Sequence, residues 1–201
     1  MIEDFLNTID ERSFRRHGET HLAQEQLASP RALSEWLVAH DLAPARTRLR
    51  ATDLTAAVTL RTTLRRSLLA ESGASSALAD YPLQLTTDPT GDLRLVARTG
   101  APWLDAIVET VATSAARGDW RRMKLCDAPD CHWAFHDTSR SGRGRWCEMG
   151  VCGNRYKTRA YRARQGAATS EPTTPVQPSG TGGRRSATSI RSMVSSSTSK
   201  P

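Results

Sequence analysis

The stretch CDAPDCHWAFHDTSRSGRGRWCEMGVCGNRYKTRAYRAR, Cys126 to Arg164, decides how this chain is read. It holds the chain's 4 cysteines, Cys126, Cys131, Cys147 and Cys152, as two close pairs. Each pair is C-x4-C, and fifteen residues separate the pairs. A structural zinc ion takes four ligands in a tetrahedron, which two turns, each offering two sulfurs from one side, supply. Four thiolates leave no open position for water or substrate, so the pattern reads as structure and not catalysis. Two disulfides or four unrelated thiols are the competing readings, and a reducing compartment argues against the first. His132 and His136 are substitute ligands to consider. A short segment with few large apolar residues needs a staple, and zinc supplies about 10–16 kcal/mol of apparent binding free energy.

Within the insert, Trp133, Phe135 and Trp146 are placed to pack across a hairpin, with Ser141-Gly142 and Gly144 at its turn. After the last cysteine, Gly153 is expected at positive φ and Asn154 as a helix N-cap. RYKTRAYRAR then reads as a helix running to Gly166. It carries Arg155, Lys157, Arg159, Arg162 and Arg164, and the insert adds Arg140, Arg143 and Arg145. These eight cations are the candidate nucleic-acid contacts, with Tyr156 and Tyr161 for stacking or packing. Phosphate contact gives affinity without sequence readout. Arg155 and Arg159, four apart on one helix face, are the candidates to grip guanine.

Charge follows the same division. Residues 1–119 carry 13 Lys/Arg against 16 Asp/Glu, residues 120–165 carry 11 against 4, and residues 166–201 carry 4 against 1. The chain's net +7 therefore belongs to its C-terminal part, which points that part alone at a polyanion. No stretch approaches the roughly 20 apolar residues of a membrane span. MIEDFLNTIDERSFRR is acidic before it is apolar and does not read as a signal peptide. A cytoplasmic, nucleoid-associated location and no membrane partner are expected.

Residues 1–119 read as a small α+β domain. DFLNTI suggests a short strand. Ser29-Pro30 reads as an N-cap with Pro at the first helical position, followed by Leu33, Trp36 and Leu37. Thr52 opens a second helix with Leu54, Ala57, Val58, Leu60, Leu64 and Leu68 on its apolar stripe. PLQLTTDPTGDLRLVA, Pro82 to Ala97, is a β-hairpin signal. Pro102 starts a third helix with Leu104, Ile107, Val108, Val111, Ala112 and Ala115 on one face, ended by Gly118. His17, His21 and His40 are scattered and form no nucleophile–base set, so no enzyme is expected. Residues 166–201, rich in Ser, Thr, Gly and Pro, are expected to be a disordered tail, in which Arg184, Arg185, Arg191 and Lys200 add only weak attraction to nucleic acid.

C-D-A-P-x-C-x-W-x-F-x-D-x-S-R, Cys126 to Arg140, followed by R-W-C-x-M-x-x-C-G-N-R-x-K-x-R, Arg145 to Arg159, resembles the CGNR zinc finger. The likeness includes the tetrapeptide Cys152-Gly153-Asn154-Arg155 itself. DFLNT, Asp4 to Thr8, and the helix–hairpin–helix order resemble the ABATE domain that usually precedes this finger. The resemblance implies zinc on Cys126, Cys131, Cys147 and Cys152, DNA as partner, and a place among stress-induced transcription regulators of bacteria, especially actinobacteria. Gly144 departs from the pattern, standing where relatives often carry a second Arg before Arg145. The expectation is a zinc-binding, DNA-binding regulator whose N-terminal domain senses a signal or forms a homo-oligomer. RNA, or an acidic protein partner, is the alternative for the same finger.

Overall fold

The computed structural model describes residues 1–16, 19–71 and 73–168. His17 and the tail beyond Ala168, with Arg184, Arg185, Arg191 and Lys200, lie outside the described residues.

The chain opens with helix α1, Ile2–Leu6, where a strand was expected. Phe5 and Leu6 are adjacent and both fully buried. Neighbours in a strand point to opposite faces, whereas neighbours in a helix share one broad face, so only the helix delivers both to a single core. The acidic Glu3 and Asp4 suit the first turn, and Asp4 pairs with the terminal amine at 2.8 Å. Two short antiparallel pairs follow. β1, Ile9–Asp10, pairs with β4, Gln24–Glu25, and encloses β2, Phe14–Arg16, paired with β3, Glu19–His21.

Helix α2, Pro30–Ala39, starts as its sequence predicts: the Ser29 hydroxyl oxygen accepts the Ala32 N–H at 3.1 Å and Pro30 opens the first turn. Helix α3, Ala51–Leu68, begins just before Thr52, because Asp53 reaches back to accept the Arg50 N–H at 2.7 Å. A short helix α4, Ala74–Leu78, leads to the expected hairpin of β5, Leu83–Thr87, and β6, Leu93–Ala97. Only its base is in the core: Ala97 is buried, while Leu85 and Leu93 are exposed. Helix α5, Pro102–Ala116, is stopped by left-handed Gly118. It buries Trp103, Leu104, Ile107 and Val108, but Val111 and Ala112 are only half-buried and Ala115 is exposed.

The architecture is α+β, helices packed with small two-stranded sheets. Phe5, Leu6, Leu33, Leu37, Leu60 and Ile107 form the centre of the larger core. That core extends into the cysteine-bearing segment: β7, Met123–Leu125, pairs with β8, Ala134–His136, and Met123, Leu125 and Ala134 are buried with the helices. Asn7 closes the join. Its side-chain amide donates to the Ala134 carbonyl at 2.8 Å and accepts the Ala134 N–H at 2.7 Å, which gives a strand residue the partner it would otherwise lack. Arg65 adds bonds to the carbonyls of Leu6 and His132, both at 3.0 Å, and the Arg12 guanidinium lies 3.8 Å above the Trp133 ring.

Candidate metal centre and basic helix

The first cysteine pair forms a knuckle that is also the turn between β7 and β8. The Cys126 N–H donates to the Trp133 carbonyl and the Cys131 N–H to the Ala128 carbonyl, each at 2.9 Å. The expected hairpin between Trp133 and Trp146 is therefore not the one formed: β8 pairs backwards with β7, because the knuckle itself reverses the chain. Trp133, Phe135 and Trp146 still meet, packed against the cysteines as a second small core.

The rest of the insert is organised by Asp137, a buried carboxylate that stands in the finger motif without an expected role. It accepts from Lys124 Nζ at 2.6 Å, the Gly144 N–H at 2.7 Å and the Ser139 N–H at 3.0 Å. Hydrogen bonds from Lys124 and Ser139 hold its carboxyl far below the usual range. Its signal was the Asp-x-Ser spacing, which favours a side chain closing its own turn.

A single π-helical turn, Met149–Gly153, carries the second knuckle into helix α6, Asn154–Ala168. Two local expectations fail here. Gly153 is not at positive φ; a Cβ there would stand 3.2 Å from the Trp146 ring and push aside the exposed, flexible Met149 side chain. Asn154 is not an N-cap acceptor: it is the first helical residue, and its amide donates to the Gly150 carbonyl at 3.1 Å.

All four Sγ atoms lie within 4.8 Å of one another. A tetrahedral ion with metal–sulfur bonds of about 2.3 Å needs sulfurs about 3.8 Å apart, and Cys131–Cys147 and Cys147–Cys152 stand at 3.6 and 3.7 Å. Cys126, Cys131 and Cys152 are buried and Cys147 half-buried. Hydrogen bonds from Cys131 and Cys147 hold the Cys126 thiol far below the ordinary range, while bonding to that sulfur pushes Cys131 up to about 12 and Cys147 higher still. Sulfurs this close tolerate little negative charge without a cation among them, so the donor set fits a bound divalent ion. The cluster comprises the four cysteines and neither His132, whose Nδ1 meets Glu11 at 3.0 Å, nor His136, an exposed residue at the end of β8.

The candidate cations fall into two sets. Arg155 donates to Asp130 Oδ2 at 3.1 Å and to Cys152 Sγ at 3.3 Å, and Arg159 donates to the same Asp130 oxygen at 3.1 Å. Arg145 meets Asp127 at 2.6 Å and lies over Trp146 and Tyr156, whose rings are 4.8 Å apart. By contrast, Arg140, Arg143, Lys157, Arg162 and Arg164 are exposed and have no ion-pair partner among the described residues.

Residues 122–165 match the family described as "CGNR zinc finger", and residues 1–125 match ABATE, described as "Putative stress-induced transcription regulator". The chain belongs to the ABATE family and carries a CGNR zinc finger. No curated protein matches it. The two matches overlap over 122–125, which takes in β7, the strand that the ABATE core and the CGNR finger share. The scattered histidines of the ABATE part lie apart from the metal centre. His21 meets Asp10 at 2.8 Å in the ABATE part, and His40 stacks on Trp36 with centroids 3.9 Å apart. Among the described residues, no helix is long and apolar enough to cross a membrane.

Proposed function

We propose that this ABATE–CGNR protein regulates transcription by binding DNA through its finger, with zinc held by Cys126, Cys131, Cys147 and Cys152. Bound zinc would neutralise the thiolates and cross-link the two knuckles. Saturated by four sulfurs, it would have a structural role, and the protein would act by binding and not by catalysis.

The observation that carries this reading is the distribution of charge around α6. At about 100° per residue, Arg155, Arg159 and Arg162 form one stripe, and Lys157 and Arg164 form another on the opposite flank. Tyr156, packed on Trp146, marks the side facing the finger. Thr158, Tyr161 and Gln165 lie away from it, between the two stripes. A helix in a major groove about 12 Å wide has a phosphate backbone on each flank and base edges ahead. Two cationic flanks around a polar front suit that setting. This reading moves the expected base contacts from Arg155 and Arg159 to the polar front, and a nucleoid location follows from it.

The test is a salt titration of the full, metal-loaded chain on duplex DNA. With about five cations on phosphate, log K should fall against log salt with a slope of roughly −4 to −5. A flat salt dependence, or a clear preference for single-stranded RNA of equal length, would overturn the reading.

A further inference from the structure

Arg155 and Arg159 converge on one oxygen. Each guanidinium stands 3.1 Å from Asp130 Oδ2. Two like charges one helical turn apart repel unless an anion lies between them. The other oxygen of that carboxylate, Oδ1, is buried and has no hydrogen-bond partner among the described residues. The interaction is also looser than the other ion pairs of the finger: Arg145–Asp127 and Lys124–Asp137 are both 2.6 Å. A carboxylate that uses one oxygen for two cations and leaves the other dry is a poor occupant. A phosphodiester has two non-bridging oxygens and satisfies both guanidiniums.

We infer that Arg155 and Arg159 form a phosphate clamp and that Asp130 is its resident competitor, displaced when the protein engages a nucleic-acid backbone. The inference rests on the DNA reading above and adds the gating of one flank of α6. The metal centre assembles the clamp, because Asp130 precedes Cys131 in the first knuckle while Arg155 follows Cys152 in the second. Arg155 is pre-set by its bond to Cys152 Sγ and need not move. Among the described residues, Lys157 and Arg164, on the opposite flank, have no such competitor.

The experiment measures duplex DNA affinity against salt for the full metal-loaded chain and its Asp130→Asn, Glu148→Gln, Arg159→Gln and Asp130→Asn/Arg159→Gln variants. Metal content and melting temperature are read alongside to show that each is folded. Glu148 is an exposed finger carboxylate, so its variant reports the general effect of removing one negative charge. Asp130→Asn should raise affinity about tenfold, clearly more than Glu148→Gln, and steepen the salt slope by about one, since phosphate no longer displaces a carboxylate that must take up a cation. The gain should disappear in the Arg159→Gln background. If Asp130→Asn gains no more than Glu148→Gln, lowers affinity, or keeps its gain without Arg159, the clamp is overturned while the DNA reading stands. If no variant, nor the parent, binds DNA, both fall together.

Discussion

Gly144 has no room for a side chain. A Cβ there would stand 2.7 Å from Asp137 Oδ1 and 2.9 Å from its Cγ, and Asp137 is fixed by Lys124 and two backbone donors. Gly144→Ala should therefore cost about 1–3 kcal/mol of stability, read from the urea midpoint of the metal-loaded protein; an unchanged midpoint would show that the insert yields freely. Asp10 gives a pH signature. Burial pushes its carboxyl up, but hydrogen bonds from Arg12 and His21 more than offset this and hold it at about 2, below the ordinary 3.8. A carboxyl depressed on folding stabilises above its unfolded pKa, so this contribution should fade as pH falls from about 3.8 to about 2. Asp10→Asn should flatten the stability–pH curve in that window; curves of equal steepness would show that Asp10 is not the titrating group. At this scale the four thiols were legible because metal coordination prescribes residue type and spacing. Asp137, Asn7 and the close approach of Trp146 to Gly153 were not, because each depends on an atom brought near by the rest of the fold.

Among the elements, α2, α5, the β5–β6 hairpin and α6 were readable from local signals: Ser-Pro at a helix start, an apolar period, a DPTGD turn and an unbroken run of helix formers. α1 was misread because five residues carry too little periodicity, and joint burial of Phe5 and Leu6 is a property of the assembled core. α3 hid its most informative residues. Its stripe of Ala57, Leu60 and Leu64 is buried as expected, but so are Arg61 and Arg65, which look like solvent-facing charges in the sequence. Arg61 reaches both oxygens of Glu25, at 2.7 and 2.6 Å, and Thr8 Oγ1 at 2.9 Å. It thereby ties α3 to the β1–β4 pair. Arg61→Ala should destabilise the protein by about 3 kcal/mol in chemical denaturation, with Arg61→Met less damaging because it keeps the packed stem. Equal, negligible losses in both would remove Arg61 from the account of the core.

At the scale of the whole molecule, the metal centre and the ABATE core are joined by a shared sheet. The first knuckle is the turn of the β7–β8 hairpin, and that hairpin is anchored by Asn7, Arg65 and Arg12. The second knuckle launches α6. An ion cross-linking the knuckles would therefore fix a cationic helix relative to the helical core, which charge asymmetry along the chain foreshadowed but could not orient. The proposed function requires a single ion on four sulfurs to make this connection. Native mass spectrometry of the purified, reduced full chain tests it most directly. The expected result is one zinc ion per chain and, on adding chelator, loss of that ion with a shift of the compact charge-state distribution toward unfolded states. A chain that carries no metal and keeps the same compact distribution in chelator would contradict it.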